Sequence, residues 1–218
     1  MKNFRLIIML LIAGSSFAQE KPQASLVDEF RQIGCDEMLA RVDMFSNQLH
    51  NNPTASGLVV ISGSNADLIK KLALEVLFTS GAFQRRIDTS RVRLVRGSES
   101  GDATMRFWLI PSGAGDPITT TAWNMRMPSK TKPFPFFADN DGICVYPTVP
   151  KYVKEILAGN PRTLVNVVIS AGTSKTFRRL RRKTVEEYGR EYSPRLRFFY
   201  VRNRYPDSYI EYWLVPKD

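Results

Sequence analysis

The sequence predicts an α+β protein made of two tandem β-α-β-α-β-β domains, each a mixed sheet with two helices on one face. Three observations predict it. A phrase recurs: Asn52-Pro53 followed by Val59-Val60-Ile61-Ser62 returns 108 residues later as Asn160-Pro161 and Val167-Val168-Ile169-Ser170. The copies also close alike, Arg91-Val92-Arg93-Leu94 leading to Trp108-Leu109-Ile110-Pro111, and Arg195-Leu196-Arg197-Phe198 leading to Trp213-Leu214-Val215-Pro216. A period this long marks a duplicated unit rather than a solenoid. Finally, segments of helical apolar spacing alternate with short apolar runs, as expected of helices laid on a sheet.

In the first copy, residues 26–112, a strand is expected at 26–33. Asp36-Glu37 then opens a helix that carries Met38, Val42, Phe45 and Leu49 on one face. Asn51-Asn52-Pro53 stops it, and 58–62 is a short buried strand. Ser64-Asn65 supplies an N-cap for a second helix with Leu68, Leu72, Val76 and Leu77 on one side, ended by Gly81. Residues 91–96 and 103–110 alternate polar with apolar around a Gly97-to-Asp102 turn, which reads as an antiparallel hairpin. The second copy, 133–218, repeats the order: an irregular strand at 134–146, helix 149–157, strand 165–170, helix 174–188, and a hairpin of 195–201 with 209–215. Between them, the linker 113–132 is rich in Gly, Pro, Thr and Ser, and its Trp123, Met125 and Met127 suggest that it docks on a domain.

The leader 1–18 carries Lys2 and Arg5, an apolar run from Leu6 to Ala13, and Ser16-Phe17-Ala18, a small-x-small ending. This is the pattern of a cleaved secretory signal. The run is far below the ~20 apolar residues that span a bilayer, and no other segment is long enough. The expectation is a periplasmic or secreted protein with no transmembrane segment after signal cleavage. Without Lys2 and Arg5 the chain has 29 basic and 21 acidic side chains, and the excess is uneven. Residues 26–115 hold 10 of each, whereas 133–218 hold 15 basic and 9 acidic, so an anionic partner should prefer the second copy. Cys35 and Cys144 are the two cysteines, at nearly equivalent places in the copies. An oxidising compartment permits a disulfide between them, worth up to ~4.7 kcal/mol in the chain-entropy picture. The alternative is two buried free thiols.

The β-α-β-α-β-β order, the Asn-Pro before the second strand, and the phrase Ile87-Asp88-Thr89-Ser90-Arg91-Val92 before the third resemble the OmpA-like C-terminal domain family, which binds peptidoglycan. The likeness covers most of the first copy and, more faintly, the second. The resemblance implies a Thr-Asp after the second strand and an Arg in the second helix, which in that family hold the diaminopimelate group of the peptide stem. Ser64-Asn65 and Thr173-Ser174 stand at the first place, with no Asp in either copy, and Arg181 stands where the family's Arg falls.

The sharpest local charge feature is Phe177-Arg178-Arg179-Leu180-Arg181-Arg182-Lys183. On a helix, Arg178, Arg181 and Arg182 share a side with Lys175 one turn earlier, a set suited to phosphate or carboxylate groups of an anionic envelope polymer. The chemistry-free reading is a solvated face with partners in Glu186 and Glu187. The loops 62–65 and 171–174 open helices, so their amides suit either an anion or simple capping. With one histidine, His50, at a helix end, neither a metal site nor His-dependent nucleophilic catalysis has its usual parts. The pairs Asp28-Glu29 and Asp36-Glu37 do not recur in the second copy. The expectation is a non-enzymatic envelope module without cofactor or metal, binding peptidoglycan or another anionic polymer and not nucleic acid. The alternative is a structural role with a protein partner, the fold being only a scaffold.

Overall fold

The computed structural model describes residues 21–127, 133–138, 149–204 and 208–217. The leader at 1–18, the linker's end at 128–132 and Cys144 lie outside the described residues.

The first half opens with strand β1 (Ser25–Phe30) and helix α1 (Cys35–Asn51), followed by β2 (Ser56–Ser62). A 3-10 turn (Asn65–Asp67) leads into α2 (Leu68–Gln84), and β3 (Val92–Arg96) and β4 (Thr104–Ile110) close the half. The apolar residues of α1 at helical spacing, Met38, Val42, Phe45 and Leu49, are buried, and Asp36 and Glu37 sit in its positive first turn. The helix ends where Pro53 denies it a donor, and Asn52 Nδ2 donates to the Gln48 carbonyl. In the second half the elements are β5 (Phe134–Ala138), α3 (Val149–Gly159), β6 (Leu164–Ala171), α4 (Ser174–Tyr192), β7 (Leu196–Arg202) and β8 (Tyr209–Val215). Cys35, at the start of α1, is disulfide-bonded.

The architecture is mixed α+β: among the described residues there are four α-helices and two mixed four-stranded sheets. Both sheets have the same order, β1-β4-β2-β3 and β5-β8-β6-β7. In each, the second strand of the half lies parallel to the third and antiparallel to the fourth. The expected hairpins are therefore corrected: β3 and β4 are separated by β2, and β7 and β8 by β6. The turn at 97–103 is a crossover over the end of β2. Gly63 N–H donates to the Ser98 carbonyl and Ser64 N–H to the Gly101 carbonyl. Glycines permit this passage. A Cβ on Gly97 would stand 2.4 Å from Ser62 Oγ, and one on Gly63, whose φ is +147°, 2.8 Å from Ala103 Cα.

Two further expectations change. Gly81 does not end α2, which runs to Gln84; it lies inside the helix, where a Cβ would come 3.3 Å from Val42 Cγ2, so it permits close approach to α1. Ser64 makes no side-chain cap, and the helix proper begins after the 3-10 turn.

Instead of one apolar stripe, α2 buries residues all round, including Leu68, Leu72, Leu74, Val76 and Phe78. It does so because sheet 1 and α1 flank it on one side, and α3 and β5 of the second half on another. Consequently the cores of the two halves merge into one cluster, from Phe30 and Phe107 through Tyr152 to Leu214. A smaller apolar layer covers the other face of sheet 1, where Leu58, Val60 and Ile110 are buried under Ala24, Ala114 and Ile118. The linker docks as expected, with Trp123 buried and Met125 and Met127 packed on the core.

Candidate functional site: the basic face of α4

Helix α4 is the most polar of the four, with only Thr184 and Tyr188 buried. Phe177 and Leu180 pack on the core. Thr173 caps it, its Oγ1 accepting from Thr176 N–H at 3.1 Å, so the capping reading of that loop is the one seen. Gly189, at φ 69° and ψ −179°, breaks the helix before its last turn.

Lys175, Arg178, Arg179 and Arg182 line one open groove of about 470 Å³ together with Thr176. Spacings of three and four residues put these cations side by side on consecutive turns. The sequence-expected set is divided here. Lys175, Arg178 and Arg182 lie in the groove, whereas Arg181 turns away and its guanidinium stacks 5.4 Å from the Phe198 ring. Arg179 was missed by the sequence reading, although its place four residues after Lys175 was the available signal.

The electrostatic setting differs sharply between the halves. Every ion pair among the described residues takes its cation from the first half: Arg31, Arg41, Lys70, Lys71, Arg85, Arg93, Arg96 and Arg106. Lys175, Arg178, Arg179 and Arg182 form none, and neither do Glu186 and Glu187, the partners that a solvated-face reading would supply. Four clustered like charges repel one another, and an anion relieves that repulsion. Guanidinium groups add a fork of donors that matches carboxylate or phosphate oxygens.

A second polar assembly lies where the halves meet. Arg96 donates to Glu75 at 3.0 Å and to Glu155 of the second half at 2.7 Å. Lys71, fully buried, donates to the Gly63 carbonyl at 2.9 Å and stands 4.2 Å from the centre of the Trp123 ring, with Glu99 at 3.5 Å. Burial pushes Lys71 below its ordinary pKa and Glu75 above its own. Burial also takes the Tyr152 phenol, 3.3 Å from Thr79 Oγ1, up to about 12. Trp123 Nε1 donates to the Gly97 carbonyl, and Asn160 Nδ2 donates to the Met125 carbonyl. These bonds fasten linker and halves together, so the role of the assembly is structural.

The remaining sequence candidates are also structural. Asp28 and Glu37 both hold Arg41, and Glu29 holds Arg106. His50 is an exposed residue of the last turn of α1. The Gly63 and Ser64 amides of loop 62–65 are engaged by the crossover. Among the described residues no cluster of three or more metal-ligating side chains occurs, and no helix is long and apolar enough to cross a membrane. A scan of family models finds no match, and neither does a search of curated proteins or of solved structures.

Proposed function

We propose that the protein is an exported, non-enzymatic binding module of the cell envelope that holds an anionic polymer, peptidoglycan or another, on the basic face of α4. The observation that carries this reading is the set of four grouped cations, Lys175, Arg178, Arg179 and Arg182, without ion-pair partners among the described residues, in a chain whose first half supplies the cation of every ion pair described. Export rests on the leader pattern at 1–18, and the resemblance to OmpA-like domains supplies the envelope context. The proposed organisation is two tandem OmpA-like domains, 26–112 and 133–218, joined by 113–132. The shared strand order of the two sheets supports it. In this organisation Cys35 pairs with Cys144, tying the start of α1 to the second domain.

Fold alone does not specify function, so the reading rests on the site. Pull-down of the mature protein on isolated peptidoglycan sacculi and on whole envelope tests it. Retention is expected at low salt and should be lost near 1 M salt, where charges are screened beyond ~3 Å. Failure to be retained on either material, or retention indifferent to salt, contradicts it.

A further inference from the structure

The two sheets use the same strand order but differ in what lies on the face away from the helices. On sheet 1 that face is covered. Leu58 and Val60 are each 1 % exposed beneath Ala114 and Ile118 of the segment that follows β4. The segment is also tied at its flank: Asp116 accepts from Arg93 on β3, and Thr121 N–H donates to the Arg96 carbonyl at the free edge of that strand. A stretch with small and aliphatic side chains and one carboxylate, turned at 112–113 and bent at 117–118, therefore forms a strap over the face.

Register identifies the matching positions on sheet 2. Leu58 pairs with Arg93 and Trp108, and Asn166 pairs with Arg197 and Trp213. Val60 pairs with Val95, and Val168 pairs with Phe199. Arg197 and Phe199 are thus the counterparts of Arg93 and Val95. Here the β7 side of the face is exposed, with Phe199 47 % and Val201 45 % exposed beside part-buried Val168 and Trp213, and Arg197 forms no ion pair among the described residues. The only other charge on the face described in a contact, Glu211, accepts from Trp213 Nε1 at 2.9 Å. Strand β7 is also a sheet edge, and an exposed, aromatic edge strand is a ready template for another chain.

We propose that this face, Val168, Phe199, Val201 and Trp213 flanked by Arg197, binds a segment of a partner protein laid over it as a strap. The segment carries a carboxylate for Arg197 and, two residues later, an aliphatic side chain for the apolar part of the face, after the pattern of Asp116, which holds Arg93, and Ile118, which packs on the apolar layer of sheet 1. The mode is a strap laid over the sheet face, as the segment after β4 lies on sheet 1, with side-chain contacts giving specificity. This surface is separate from the groove of α4 and does not depend on polymer binding.

The test is an amide NMR titration of the intact protein with a synthetic peptide of residues 111–122. Saturable shifts are expected in β6 and β7 and at the Trp213 indole. Arg197→Glu should weaken binding about tenfold, and a peptide carrying Asp116→Lys should restore it on that variant. Both Arg197 and Phe199 are exposed, so these variants keep the fold, which the peptide-free spectrum verifies. No saturable shift up to millimolar peptide, shifts confined to β2 and β3, or equal affinity for Arg197→Glu would overturn the proposal. So would a stable dimer of the protein that Phe199→Lys disperses, because a second copy would then occupy the face.

Discussion

Arg91 and Arg195 begin the phrase that betrays the repeat, and each does the same work. Arg91 donates to the carbonyls of Leu49, Asn52 and Ala55 at 2.9, 2.8 and 2.7 Å. Arg195 donates to those of Leu157 and Thr163 at 2.8 and 2.9 Å, and to that of Asn160. Each guanidinium thereby adds donors to carbonyls at the end of the first helix of its half and in the turn that follows. Two carbonyls of each set keep a backbone N–H donor and only that of Ala55 or Thr163 depends on the arginine, so Arg91→Ala and Arg195→Ala should each cost about 1–2 kcal/mol in urea unfolding. At position 195, where Nε, Nη1 and Nη2 each donate, lysine should recover only part of the loss, since one ammonium cannot reproduce the fork. Both arginines were visible in the sequence as repeat markers. Their role was not, because the carbonyls they hold lie some forty residues earlier in the chain. Lys71 gives a pH signature at the same scale. Burial lowers its pKa, so between that lowered value and the usual 10.5 the unfolded chain binds more protons than the folded one. Its contribution to stability must therefore rise with pH across that window. Lys71→Met should abolish that rise when unfolding curves are compared at a series of pH values.

Helices and strands were legible from apolar spacing, but strand pairing was not. Residues 91–96 and 103–110 carry the alternation of a hairpin, and only the position of β2 between them shows that the joining loop is a crossover. The glycines at its ends were the available sign. Gly97 sits too close to Ser62 Oγ and Val60 to accept a side chain, whereas Gly101, at φ +71°, has open space around it. Gly97→Ala should therefore destabilise by about 1–3 kcal/mol through overpacking. Gly101→Asn should cost little, because Asn tolerates a left-handed backbone. Equal losses at the two positions in thermal unfolding would show that the loop crosses β2 otherwise than described. The basic face of α4 was legible to the turn but not to the residue. Arg181 was assigned to it on the helical wheel, yet it lies over Phe198, and Arg179 takes its place in the groove.

At the scale of the molecule, the duplication was plain in the sequence while the joining of the halves was not. The sign of the latter was α2, whose Leu72, Leu74, Val76 and Phe78 leave no apolar-free face. Such a helix needs neighbours on several sides, and α3 and β5 supply them across the junction sealed by Arg96, Glu75 and Glu155. One shared core should unfold in one step, so fluorescence and circular dichroism should report a single coincident transition. Two separated transitions would show that the halves are energetically independent. The same repeat has nevertheless taken two electrostatic courses. The first half supplies the cation of every ion pair among the described residues, and the second gathers Lys175, Arg178, Arg179 and Arg182 on one helix without ion-pair partners among those residues. If that gathering is the binding site, its position must matter more than its charge. The direct measurement compares retention on sacculi and whole envelope for two triple variants with the same change in net charge. One carries Arg178→Glu, Arg179→Glu and Arg182→Glu in the groove; the other carries Arg162→Glu, Arg190→Glu and Lys217→Glu at exposed places outside it. Loss of retention by the groove variant alone is the predicted result, and equal retention of the two, whether both bind or neither does, would contradict it.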